Sequence, residues 1–137
     1  IDRPLNGTGY TEAIDMAQEL KSRSFVPNKI ISSVAIRAYS TALIFSKILR
    51  SEIKFSTAPE LYEISTRDLL SFISKLETRD TSVMLFGHIP SFSAVAESYD
   101  PNFYHVPTAG VTRFVFDSNS WNEIGDHNLK ESEFLEP

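Results

Sequence analysis

The chain has 137 residues, 42% of them hydrophobic and 12% aromatic, which suits one domain with its own packed core and argues against disorder. Thirteen basic against eighteen acidic residues give a net charge of −5, which argues against a general binder of nucleic acid or of an anionic membrane. The absence of cysteine excludes disulfides, thiolate catalysis and cysteine-type zinc sites, and fits a reducing compartment, with the cytoplasm as the expected location.

Residues 10–25 carry Ala13, Ala17 and Leu20, with Ile14 and Met16 alongside, at helical spacing. Glu12 near the start and Lys21 and Arg23 near the end suit the helix dipole. Pro27 and Asn28 break this run, and residues 29–33 read as a short buried strand. A second helix is predicted over 38–50, with Ala42, Phe45 and Leu49 on one side. The alternation of Glu52, Ile53, Lys54 and Phe55 fits an edge or half-buried strand, and 57–64 reads as a loop. Ser65 or Thr66 can cap a third helix reaching Leu76, with Leu69, Leu70, Ile73 and Leu76 inward.

Residues 82–87 form a continuous apolar run, as in a parallel strand covered on both faces. A short helix is expected over 92–99, a turn-rich loop over 100–107 and a strand over 110–117. Trp121–Glu123 with Ile124 reads as an added edge strand, and the acidic tail 130–137 as a fraying end. Strands alternating with helices imply a single α/β domain over 1–137, a three-layer α/β/α sandwich with a mostly parallel sheet. No apolar run is long enough to span a bilayer.

The chemistry concentrates at two strand ends. Arg37 lies just past Ser32 and Ser33, and His88 just past Phe86 and Gly87. In open α/β sheets ligands bind at that edge, and a cation at a helix N-terminus suits an anion such as phosphate. The bland alternatives are a surface arginine paired with a carboxylate and a hydrogen-bonded structural histidine. His105 and His127, with Asp100 and Asp126, lack metal-ligand spacing, so no metal site is expected. Phe92, Phe103 and Tyr104 read as packing rather than a base-stacking platform, and Thr108 as a turn residue with a hydroxyl near the same edge.

Arg3-Pro4-Leu5 with Gly9, Ser32-Ser33 with Ala35, Arg37, Ala38, Thr41 and Ala42, and Gly87-His88 with Pro90 occur in an order that resembles the histidine phosphatase superfamily. The SixA-like phosphohistidine phosphatases are the branch most similar. The resemblance implies a phosphoglycerate mutase-like fold and phosphatase activity without a cofactor. It implies phosphate binding by Arg3, Arg37 and His88, and a phosphorylated protein or a small phosphoester as substrate, with no nucleic acid or membrane partner.

Glu60 matches the region where the mutase branch has its proton-donating glutamate. A carboxylic acid can protonate a leaving group there. A loop carboxylate in water is the alternative for Glu60 and for nearby Glu63. The family's nucleophile is a histidine in an Arg-His-Gly or Arg-His-Ala motif, and no histidine precedes His88 here. That motif, with its strand, is therefore expected upstream of Ile1; without it, the chain would be a phospho-ligand binding domain. Val34 and Ile89 stand where relatives often have proline and asparagine. A mutase would need a water-excluding lid for which the chain is short.

Overall fold

The β-branched and aromatic runs become a parallel ladder in the structure, a computed structural model describing residues 3–50, 52–88, 90–102 and 110–137. The chain divides into two units, taken in turn here: residues up to Glu63 with Asp80–His88, and Ile64–Arg79 with Ile89–Glu136.

In the first unit, β1 (Lys29–Ser32) lies between β2 (Lys54–Thr57) and β3 (Val83–Phe86), all parallel. Ile30 and Ile31 are consecutive in β1 and both buried, so both faces of the central strand are covered. Helices α1 (Gly7–Ser22) and α2 (Ile36–Leu49) pack against each other. Ala13 and Ala17 on α1 and Ala38 and Ala42 on α2 are buried, and their small side chains permit close approach. Phe45 of α2 reaches the sheet, its ring centroid 5.1 Å from that of Phe86. Lys54 Nζ lies 3.4 Å from the buried carboxylate of Asp80, which offsets the lysine pair Lys29 and Lys54 facing each other in register.

Several boundaries differ from the sequence reading, and three of the starts have a visible cause or consequence. Helix α1 begins at Gly7 because Asn6 caps it, its Oδ1 accepting from the Gly9 amide at 2.7 Å. Helix α2 begins at Ile36, which puts Arg37 in its first turn. Strand β2 is the expected edge strand but starts at Lys54, where its register with β1 opens.

In the second unit, α3 (Thr66–Ser74) starts at Ser65, whose Oγ accepts from the Asp68 amide at 3.1 Å. Helix α4 spans Ser91–Tyr99, and β4 (Val111–Phe116) pairs antiparallel with β5 (Leu129–Leu135). The parallel arrangement thus holds for β1–β3, while the last two strands form an antiparallel ladder of their own. Two expectations are corrected here. The acidic tail forms β5 instead of fraying. Arg113 Nη1 lies 3.7 Å from Glu131 Oε1 and 3.6 Å from Glu133 Oε2, so the repelling carboxylates share a cation across the ladder. Ser132 Oγ also donates to Asp100 Oδ2 at 2.6 Å. The Trp121 segment is a 3₁₀ turn, Trp121–Glu123, because its indole Nε1 donates to the Glu77 carbonyl at 3.2 Å rather than joining a ladder.

Ile89, Phe103, Tyr104, His105 and Thr108 lie outside the described residues. Among the described residues no helix is long and apolar enough to cross a membrane.

Candidate active site

Parallel strands in register end together. Ser32, the last residue of β1, stands opposite Thr57 of β2 and Phe86 of β3. Arg37 follows the first of these, Glu60 the second and His88 the third. Three of the site residues expected from the sequence therefore leave the carboxyl edge of one sheet, where α/β folds bind ligands.

The turn from β1 into α2 explains why serines stand there. Ser32 and Ser33 are fully buried. The Ser33 amide donates to the Phe86 carbonyl at 2.9 Å, and the Ala58 amide to the Ser32 carbonyl at 2.8 Å, so the turn is tied to both neighbouring strands. Ser32 Oγ donates to the Ser33 carbonyl at 2.8 Å, and Ser33 Oγ accepts from the Ala35 amide at 3.3 Å. Ala35 then occupies the N-cap of α2 in extended conformation, and no side chain caps the helix. The first amides of α2 are left without a side-chain acceptor, which favours an anion there.

Arg37 is exposed, and its guanidinium makes no hydrogen bond or ion pair among the described residues. The reading of Arg37 as a surface ion-pair partner is thus not what the fold uses it for. His88 is half-buried, with Nε2 buried. Its ring meets that of Tyr62 edge to face, with centroids 5.5 Å apart and planes at 80°.

Glu60 is exposed in a single 3₁₀ turn, Pro59–Leu61, which the fully buried Leu61 anchors. Arg3 is exposed in the segment before the Asn6 cap and comes from no sheet edge. Among the described residues no cluster of His, Asp and Glu side chains could hold a metal ion.

Tyr62 was not singled out by sequence. Its only signal was its position between Glu60 and Glu63, and its contact depends on a backbone turn that spacing does not reveal.

A family model for branch 1 of the histidine phosphatase superfamily matches residues 1–80, more than half of the chain. The chain belongs to the histidine phosphatase superfamily. An uncharacterised chloroplastic protein of Arabidopsis thaliana is 30% identical to this chain over 89% of its length, and the chain spans 60% of that relative's length. The crystal structure of an Agrobacterium tumefaciens protein assigned as the phosphohistidine phosphatase SixA superposes with a TM-score of 0.83 at 26% identity. It covers 99% of this chain and 84% of the other. A protein histidine phosphatase SixA complexed with tungstate shares the fold with a TM-score of 0.78 at 18% identity, over 96% of this chain and 83% of its own. The α/β class with a parallel sheet, and the SixA-like fold, are as the sequence motifs implied.

Proposed function

We propose that this histidine phosphatase removes a phosphoryl group from a phosphohistidine on a protein, or from a small phosphoester, through a covalent phosphohistidine intermediate and without a metal ion. One observation carries the reading. A member of this superfamily keeps an uncommitted guanidinium, Arg37, and an imidazole, His88, at the carboxyl edge of one parallel sheet.

In this reading the nucleophile is the histidine of the superfamily's Arg-His motif; none of the three histidines in residues 1–137 follows an arginine. Its ring nitrogen attacks phosphorus in line. The phosphorus–nitrogen bond forms as the bond to the leaving atom breaks, and Glu60 or water gives that atom its proton. Water then attacks the phosphohistidine, the new bond breaks, and phosphate leaves.

Arg3, Arg37 and His88 hold the equatorial oxygens, where negative charge gathers. The planar fork of Arg37 fits two of those oxygens. The two guanidinium groups supply the charge that magnesium brings in many phosphotransferases. The tungstate held by a SixA relative, a tetrahedral oxyanion, fits such a site. A protein substrate is supported by the SixA likeness and by the short crossing from β2, a single 3₁₀ turn without an inserted lid. The cytoplasmic location rests on composition; the chloroplastic relative makes a fluorescent fusion the way to decide it.

The test is to trap the intermediate. The full-length protein, quenched during turnover of a histidine-phosphorylated protein, is expected to carry one acid-labile phosphoryl group. A phosphoenzyme that never forms, with phosphate still binding, supports the second reading, a non-catalytic phospho-ligand binding domain.

A further inference from the structure

We propose that Tyr62 is the positioning residue for His88, an inference that rests on the anion-binding role given to His88 above. A donor to a transferring phosphoryl group must present one ring nitrogen in one direction. Histidine does not fix this by itself, because its χ2 torsion is broad. His88 also follows Gly87, at the point where the β3 ladder has ended. Some neighbour must set the plane of the ring.

Tyr62 meets that need. Its ring stands at 80° to the imidazole at a centroid distance of 5.5 Å, within the range in which edge-to-face pairs are favoured. Rotation of the imidazole about χ2 breaks this arrangement, and burial of Nε2 leaves little free space for it.

The backbone is built to hold Tyr62 in that position. Leu61, just before it, is fully buried and pins the 3₁₀ turn. Tyr62 itself is extended, with φ −73° and ψ 124°. Glu63, just after it, has φ 51°, in the left-handed region that non-glycine residues avoid. Ser24 has a positive φ one residue past the C-cap of α1, and Glu63 stands in the same place one residue past Tyr62, the C-cap of the 3₁₀ turn, where a left-handed residue is ordinary. The left-handed backbone of Glu63 ends the turn directly behind Tyr62. Tyr62 acts through His88 and is not itself a catalytic residue.

The test uses the full-length protein, with free phosphohistidine as substrate. Tyr62→Leu is expected to lower kcat roughly 10- to 100-fold, the scale of a misaligned catalytic group, with KM little changed. Tyr62→Phe, which keeps the ring, restores kcat to near the wild-type value. In a His88→Ala background, Tyr62→Leu adds no further loss, since the residue it orients is gone. The imidazole ¹⁵N signals of His88 shift in Tyr62→Leu and stay in Tyr62→Phe.

A full Tyr62→Leu loss persisting without His88, an unmoved His88 signal, or a Tyr62→Phe variant as poor as Tyr62→Leu overturns the proposal. If Tyr62→Leu does not fold, Tyr62→Met is measured in its place. If the wild type turns over no phosphohistidine, the functional reading fails and the His88 signals alone decide this one.

Discussion

Arg37→Ala separates catalysis from stability. The guanidinium is exposed and makes no hydrogen bond or ion pair among the described residues, so the folded state loses no polar contact with it. Surface changes of this kind stay within about 0.5 kcal/mol of wild-type stability. The transition state loses a donor aimed at oxygens that gain charge, which costs roughly 10²- to 10³-fold in kcat, or about 2.7–4 kcal/mol. Arg37→Lys keeps the positive charge but not the fork. One lost charge-assisted hydrogen bond is worth about 1.5–3 kcal/mol, so the lysine variant should fall at least about tenfold. The assay is steady-state turnover of phosphohistidine by the full-length protein, with the urea unfolding midpoint measured on the same samples. Turnover in Arg37→Ala within a few-fold of wild type refutes the assignment. A loss of stability as large as the loss of activity refutes the argument that the residue is structurally idle.

Other consequences can be read from stability alone. Glu63→Gly relieves a left-handed backbone at φ 51° and should stabilise the protein by about 1 kcal/mol, whereas β-branched Glu63→Val should destabilise it by a similar amount or more, both read from urea midpoints. Tyr99 packs edge-on against Phe114 and Phe116, and burial pushes its hydroxyl from 10.0 up to about 12. The folded state therefore favours the neutral phenol. Its contribution is complete below pH 10 and is lost as pH rises through about 12. The expected loss is about 2 kcal/mol, the order set by such a shift on a buried side chain, and Tyr99→Phe should abolish it. The Asp100 carboxyl has the opposite sign. Hydrogen bonds from the Ser132 hydroxyl and the Asn102 amide hold it below its ordinary 3.8. Their stabilisation is present above that value and lost as pH falls through the lowered one, so Ser132→Ala should move acid unfolding to higher pH.

Much of this was legible in the sequence, for identifiable reasons. Helices showed through the spacing of Ala13, Ala17 and Leu20 and of Ala42, Phe45 and Leu49, since each must bury one face. Strands β1 and β3 showed as apolar runs because parallel strands are covered on both faces. Arg37 and His88 stood out because they lie just past buried strands, at the edge where α/β folds bind ligands. The start of α1 was hidden because Asn-Gly-Thr-Gly reads as a loop until the Asn6 side chain closes on the Gly9 amide. The tail was misread because its fate lay in a distant partner. Glu131 and Glu133 look like fraying charges until Arg113 faces them. Tyr62 was invisible for a related reason, as its contact is with His88, 26 positions away in the chain.

The turn between β1 and α2 shows how one motif can serve both fold and chemistry. Ser32 and Ser33 have their hydroxyls engaged with the local backbone and their main chains tied to β2 and β3, so they are committed to shaping the edge. They have no freedom left to follow a reacting group. The side chain of Arg37, five positions beyond Ser32 and within the first turn of α2, makes no hydrogen bond or ion pair among the described residues. A rigid base with a free cation above it is what preorganised recognition of an oxyanion requires, because the donor's origin stays fixed while its fork adjusts to the ligand. The net charge of −5 makes this arrangement selective as well. An acidic surface repels anions in general, so a phosphoryl group gains only where the guanidinium and the open amides of α2 meet it together.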